Sequence, residues 1–210
     1  MGNNFTRRQF GAVVAGTLAA SGTSPASARP SVGGEVRRFP REVWVASVCS
    51  AGLKAQNTQE LCKKMLSRME EVAPYQPDII CTPEVFPYFG LPGGKPSVPA
   101  VAEERSGPVL DQFAGFARRH RCYVICSTYT KEAGRYYNAA VLFDRQGRYV
   151  GEYRKINPDE GDMALGCTPG PLQPPVFETD FGTIGMQICY DANWYDNWRR
   201  LSDAGAKIVF

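Results

Sequence analysis

Three residues of this 210-residue chain stand where an apolar run gives way to a loop or turn, and all three carry reactive side chains. Glu84 lies in Cys81-Thr82-Pro83-Glu84-Val85-Phe86, Lys155 closes Gly151-Glu152-Tyr153-Arg154-Lys155, and Cys189 follows Met186-Gln187-Ile188 and precedes Tyr190-Asp191. Strand ends are where an α/β scaffold exposes groups to a cleft, because the sheet fixes the backbone and the loop frees the side chain. A carboxylate flanked by prolines and aromatics is partly desolvated there, which suits it to accept a proton. A cysteine at a turn entering a helix is well placed to become a thiolate and hence a nucleophile. Singly these signals are weak, since a Glu after a strand is commonly a surface residue and a Cys after an apolar run is commonly a core thiol. The only histidine, His120, sits in the basic run 118–121 with no nucleophile beside it, which argues against a Cys-His or Ser-His triad.

The elements that must position these residues can be read from periodicity. Residues 43–48 and 78–82 form short continuous apolar runs and read as buried strands. Between them, Asn57 and Glu60 form a capping-box-like pair, and Leu61, Met65, Leu66, Met69 and Val72 recur at helical spacing up to Pro74. A stiff proline-rich loop follows, carrying Pro83, Pro87, Pro92, Pro96 and Pro99. Pro108 is expected at the first position of a second helix that carries Leu110, Phe113 and Phe116 and ends in the basic run. Residues 122–130, 136–144 and 149–155 read as consecutive antiparallel strands. After a Gly/Pro-rich loop over 157–175, residues 176–179 and 183–188 read as a hairpin. Trp194, Trp198 and Leu201 mark a last helical stripe, and 207–210 begin a strand that looks interrupted.

The order and surroundings of Thr82-Pro83-Glu84, Tyr153-Arg154-Lys155 and Ile188-Cys189-Tyr190-Asp191 resemble the carbon–nitrogen hydrolase (nitrilase) superfamily, from about Val43 to the last residue. The resemblance implies an α/β fold, an α-β-β-α four-layer sandwich commonly paired with a second copy, and a Glu-Lys-Cys triad of Glu84, Lys155 and Cys189. It implies that Glu84 takes the thiol proton, that Lys155 and a backbone N–H near Tyr190 stabilise the tetrahedral species, and that no metal or organic cofactor takes part. A second site glutamate is expected at Glu160, with Asp159 and Asp162 as rivals. Tyr190-Asp191 after the cysteine looks like the amidase and carbamoylase branches, so the implied substrate is a small linear amide or N-carbamoyl compound. Nitrile hydrolysis is the alternative within the class, and a non-catalytic binding protein the alternative outside it. Superfamily members normally continue past residue 207, so the resemblance also implies a chain incomplete at its C-terminus, with residues 42–210 a partial domain.

Composition narrows the partners. At 43% hydrophobic and 21% charged, the chain has the make-up of a globular protein. Of its 24 bases two, Arg7 and Arg8, stand in an acid-free leader, which leaves the remainder close to neutral against 21 acids and gives nucleic acid no basic face to bind. Residues 1–28 read as a twin-arginine export signal: Arg7-Arg8, a short apolar stretch over 11–20, then Ala26-Ser27-Ala28. That stretch is too short and too rich in Gly and Ala to anchor in a bilayer, and the expected destination is the periplasm or the medium. Residues 29–41 read as a linker. Seven cysteines leave at least one unpaired within a single chain, and Cys49, Cys81, Cys126 and Cys189, in strand-like runs, are expected as buried thiols.

Overall fold

Alternation along the strands explains why their sequence is apolar almost without a break. In the strand Tyr123–Glu132, Val124 and Cys126 point into one core while Tyr123 and Ile125 point into another. Its neighbour Arg135–Phe143 divides the same way, with Val141 and Phe143 on one side and Ala140 and Leu142 on the other. A sheet covered on both faces needs apolar residues at every position. The computed structural model describes residues 42–210 together with the two-residue strand Gly16–Thr17, so the leader and linker expected over 1–41 otherwise lie outside the described residues.

Six strands make the first sheet, in the order β1 (Gly16–Thr17), β2 (Trp44–Ser47), β3 (Ile79–Cys81), β4 (Tyr123–Glu132), β5 (Arg135–Phe143) and β6 (Tyr149–Arg154). β2, β3 and β4 run parallel, and β4, β5 and β6 are the expected antiparallel meander. One face is covered by helices α1 (Thr58–Val72) and α3 (Leu110–His120), whose Met65, Met69, Phe113 and Phe116 join Ala46, Ile80 and Val124 in a single core. The other face packs through Ile79, Leu142 and Tyr153 on the second sheet, made of β7 (Val176–Thr179), β8 (Gly182–Gly185) and β9 (Ile208–Val209). Outside that sheet lies α5 (Tyr195–Asp203), which reaches β8 through Leu201. A Cβ at Gly185 would come within 2.9 Å of a Leu201 methyl, so the glycine sets how closely helix and sheet approach. The layers are therefore α-β-β-α. Among the described residues no helix is long and apolar enough to cross a membrane.

Local details depart from the sequence expectations for identifiable reasons. Asn57 does cap α1 by accepting from Glu60 N at 2.9 Å, but the Glu60 carboxylate reaches back to Gln56 N rather than to the cap residue itself. Pro108 lies two residues ahead of α3, not at its first position. The helix-start donors Val109 N and Leu110 N, which have no partner within the helix, are bound instead by the Glu103 carboxylate, at 2.8 and 3.0 Å. The proline-rich loop holds a short helix, α2 (Val98–Val101), and the loop over 157–175 holds another, α4 (Glu160–Ala164). β8 stops at Gly185, short of the expected Ile188. Trp194 and Trp198 are exposed, leaving Leu201 and Asn197 as the buried side of α5. Cys81 is half-buried and Cys126 fully buried, whereas Cys49 and Cys189 are exposed.

Candidate functional site

Glu84 is placed by a network of short polar side chains at the exit of β3. Thr82 Oγ1 donates to Ile125 O at 3.2 Å and accepts from Ser127 N at 3.1 Å, while Ser127 Oγ donates to Ala139 O and accepts from Val85 N at 2.9 Å. These bonds pin the loop to β4 and β5 on both sides of Glu84. They also hold Val85 at φ 34°, a left-handed conformation that a β-branched residue adopts only under constraint, at a cost of about 1–3 kcal/mol. Cys189, at φ 47°, is likewise left-handed and opens a tight turn running to Asn193. Two of the five non-glycine residues with positive φ among the described residues thus flank one cleft, the pattern expected where fold constraint is spent on positioning.

Lys155 reaches the same cleft from the end of β6 and is 1% exposed. Its Nζ donates to Glu84 Oε1 at 2.9 Å and to Asp162 Oδ2 at 2.7 Å, and Asp159 Oδ2 lies at 3.7 Å. Burial alone would lower the ammonium's proton affinity. The hydrogen bonds and charges of Asp162 and Glu84 outweigh it, so Lys155 is held above the usual lysine range and stays charged. Two of its three N–H groups are thereby used within the described residues.

The sequence expected Glu160 beside Lys155, with Asp159 and Asp162 as rivals, and it is Asp162 that the structure places there. Asp159 caps α4 by accepting from Asp162 N at 2.8 Å, so the helix starts at Glu160. Residues two apart on a helix lie about 200° apart around its axis. Asp162 therefore turns inward and is buried while Glu160 points to solvent.

The Cys189 turn does not by itself make a thiolate, and the sulfur rests as the thiol whose proton Glu84 is expected to take. Although the residue is exposed, partial desolvation of its sulfur raises the pKa first, and the negative charge and hydrogen bond of Glu84 raise it further, against the opposing pull of Lys155 and of the Tyr190 backbone N–H. The resting group is a protonated thiol facing a carboxylate, with a cation and an N–H donor beside it. A cavity of about 130 Å³ lies at this point between the sheets, lined by Glu84, Cys189, Thr82, Ser127, Ile188 and Phe210 among others.

Two further residues support the site, Asn138, which the sequence did not single out, and Asp191, which it marked only as part of the Tyr190-Asp191 pair. Asn138, on β5, donates through Nδ2 to Glu84 Oε1 at 2.7 Å, and its backbone carbonyl accepts from Lys155 N. Asp191, fully buried two residues after Cys189, accepts from Tyr153 Oη at 2.6 Å, Ile156 N at 3.2 Å, and Asn157 N and Nδ2 at 2.8 and 2.9 Å. Those donors bracket Lys155 on both sides, so Asp191 ties the cysteine turn to the lysine strand. The signal for Asn138 was a lone amide within the buried run Tyr137 to Phe143. That for Asp191 was an acidic residue directly after an apolar run. Among the described residues no group of three or more His, Cys, Asp or Glu side chains is arranged to hold a metal ion.

Residues 45–210 match the family model described as carbon-nitrogen hydrolase. A hydrolase of Pseudomonas protegens, from the pqqF 5′ region, is 32% identical over 148 residues, covering 69% of this chain and 51% of that protein. A bifunctional nitrilase/nitrile hydratase of Lupinus angustifolius is 25% identical over 162 residues, covering 70% and 46%. The chain thus spans about half the length of these relatives. Among solved structures, a carbon-nitrogen hydrolase of Helicobacter pylori superposes with a TM-score of 0.62 at 21% identity, over 75% of this chain and 55% of that one. An amidase from Nesterenkonia sp. gives 0.61 at 19%, over 74% and 59%. With the family model matched from Val45 to Phe210 on this fold, the chain belongs to the carbon–nitrogen hydrolase family.

Proposed function

We propose that the protein hydrolyses a small linear amide or N-carbamoyl compound through a thioester on Cys189. The observation that carries this reading is the arrangement of Lys155 between Glu84 and Asp162, with a protonated Cys189 thiol facing Glu84. In the acylation half, Glu84 takes the proton from Sγ as sulfur attacks the carbonyl carbon. The oxygen that becomes negative is stabilised by the Lys155 ammonium and the Tyr190 N–H. The carbon–nitrogen bond then breaks, and the proton held by Glu84 leaves with ammonia. In the deacylation half, Glu84 takes a proton from water, the resulting hydroxide attacks the thioester, and the thiolate leaves and recovers the proton. Asp162 keeps Lys155 charged and fixed throughout, a part assigned here to Asp162 rather than Glu160.

Tyr190-Asp191 after the nucleophile favours an amide over a nitrile. A related support comes from the amidase of Nesterenkonia sp., which shares this fold and a mutant of which has been solved in complex with butyramide. Similarity to plant bifunctional nitrilase/nitrile hydratases keeps nitriles as the second reading. Ammonia release from aliphatic amides, N-carbamoyl amino acids and aliphatic nitriles decides between them. Release from amides or carbamoyl compounds is expected. Release from nitriles alone would establish the second reading, and none from a folded protein would point to a binding role.

A further inference from the structure

Asn138 is expensive for the fold to keep. It sits on the inner face of β5, directly opposite Tyr129 of β4, and is 1% exposed. Burying an amide is unfavourable unless its polar atoms are bonded, yet among the described residues its Oδ1 has no partner. Its Nδ2 is committed to carboxylates, with Glu84 Oε1 at 2.7 Å and Asp162 Oδ1 at 3.5 Å. The reversed amide orientation would set Oδ1 against both carboxylates, so the assignment of nitrogen and oxygen follows from charge. An apolar residue would fill the same place in a strand whose inner face continues with Ala140 and Leu142. What Asn138 adds is therefore local to Glu84.

Glu84 Oε1 accepts from both Asn138 Nδ2 and Lys155 Nζ, whereas Oε2 has no hydrogen bond to nitrogen or oxygen among the described residues. We infer that Asn138 is a positioning residue which, with Lys155, fixes Oε1 so that Oε2 is the oxygen exchanging protons with the Cys189 thiol and the hydrolytic water. The inference rests on the reading of Glu84 as the base. One bond from Lys155 would leave the carboxylate free to swing about that contact. A second bond at the same oxygen, from a rigid strand, fixes the direction in which the other oxygen points. The charged or titratable groups facing Glu84 are Lys155 just after β6, Asp162 from α4, Cys189 from the turn after Ile188, and Tyr129 from β4.

The test is the pH profile of kcat/KM for Asn138→Leu and Asn138→Asp beside Glu84→Gln, with melting curves to exclude misfolding. Asn138→Leu should lower kcat about ten- to a hundred-fold. It should also move the acid limb of kcat/KM to higher pH, because a donor to the charged carboxylate is lost. Asn138→Asp keeps the shape but sets a carboxylate against Oε1 and should move the limb further the same way. It serves alone if the Leu variant fails to fold. A reduced rate with an unmoved acid limb in both variants, while Glu84→Gln is inactive, would overturn the role of Asn138 and leave Glu84 as the base. Full activity in Glu84→Gln would overturn the underlying reading instead.

Discussion

Strand β3 has a carboxylate near each end, and each carboxylate is bonded to a cation, yet the two ends are built differently. At its start, Asp78 Oδ1 accepts from Arg145 at 2.6 Å, and the same guanidinium grips Asp180 through two bonds of 2.6 and 3.0 Å and donates to Arg121 O. Tyr123 lies beneath it, with the ring centre 5.3 Å from Cζ. Asp180 first, then Asp78, hold this arginine above its usual range against the effect of burial. Arg145 joins the β7–β8 turn to the first sheet, and its fork matches the acceptors around it. Beyond the other end, Lys155 bridges Glu84 and Asp162 while 1% exposed. There the matching is incomplete, with one ammonium N–H, Glu84 Oε2 and Asn138 Oδ1 all lacking a nitrogen or oxygen partner among the described residues. A closed cluster fastens two sheets together. One with spare donors and acceptors around a thiol is, on the function proposed above, completed by a substrate.

If that contrast is right, equivalent mutations at the two ends separate activity from stability. Lys155→Met should reduce kcat about 10³-fold or more, since it removes the charge opposite the developing oxyanion. Asp162→Asn should cost about ten- to a hundred-fold by loosening Lys155, whereas Glu160→Gln should stay within about two-fold. Equal losses at 160 and 162 would break the helix argument that separates them. Arg145→Met should lower the unfolding free energy by about 1–3 kcal/mol in urea titration, with kcat/KM per folded molecule nearly unchanged. A large loss of kcat there would erase the distinction between the ends. The smallest effect concerns the thiol at rest. Because burial and Glu84 raise its pKa, iodoacetamide labelling of Cys189 in the free protein should keep climbing with pH beyond the point where an ordinary cysteine levels off.

The parts of this contrast that could be read in advance are those encoded by local pattern. Continuous apolar runs forecast a sheet buried on both faces, and the ends of those runs marked Glu84, Lys155 and Cys189, which the fold brings to one cleft. What escaped depends on contacts far apart in sequence or on a single turn of helix. Asp162 rather than Glu160 faces Lys155 because Asp159 fixes where α4 begins. The start of α3 is capped by Glu103, which the sequence gives no reason to connect to Val109. The raised Cys189 pKa depends first on desolvation of the sulfur and then on how near Glu84 comes, and spacing along the chain reveals neither. The tryptophans of α5 follow a helical stripe and still face outward, because periodicity marks a face without showing what covers it.

The most direct test of the account is to mix the protein with a turned-over amide, quench in acid within a turnover, and locate the acyl group by peptide mass spectrometry. The account predicts a mass increase equal to the acyl group on the peptide containing Cys189, forming at least as fast as kcat and absent in Cys189→Ala, which should not turn over. Full turnover by Cys189→Ala, or acylation confined to another residue, would contradict it.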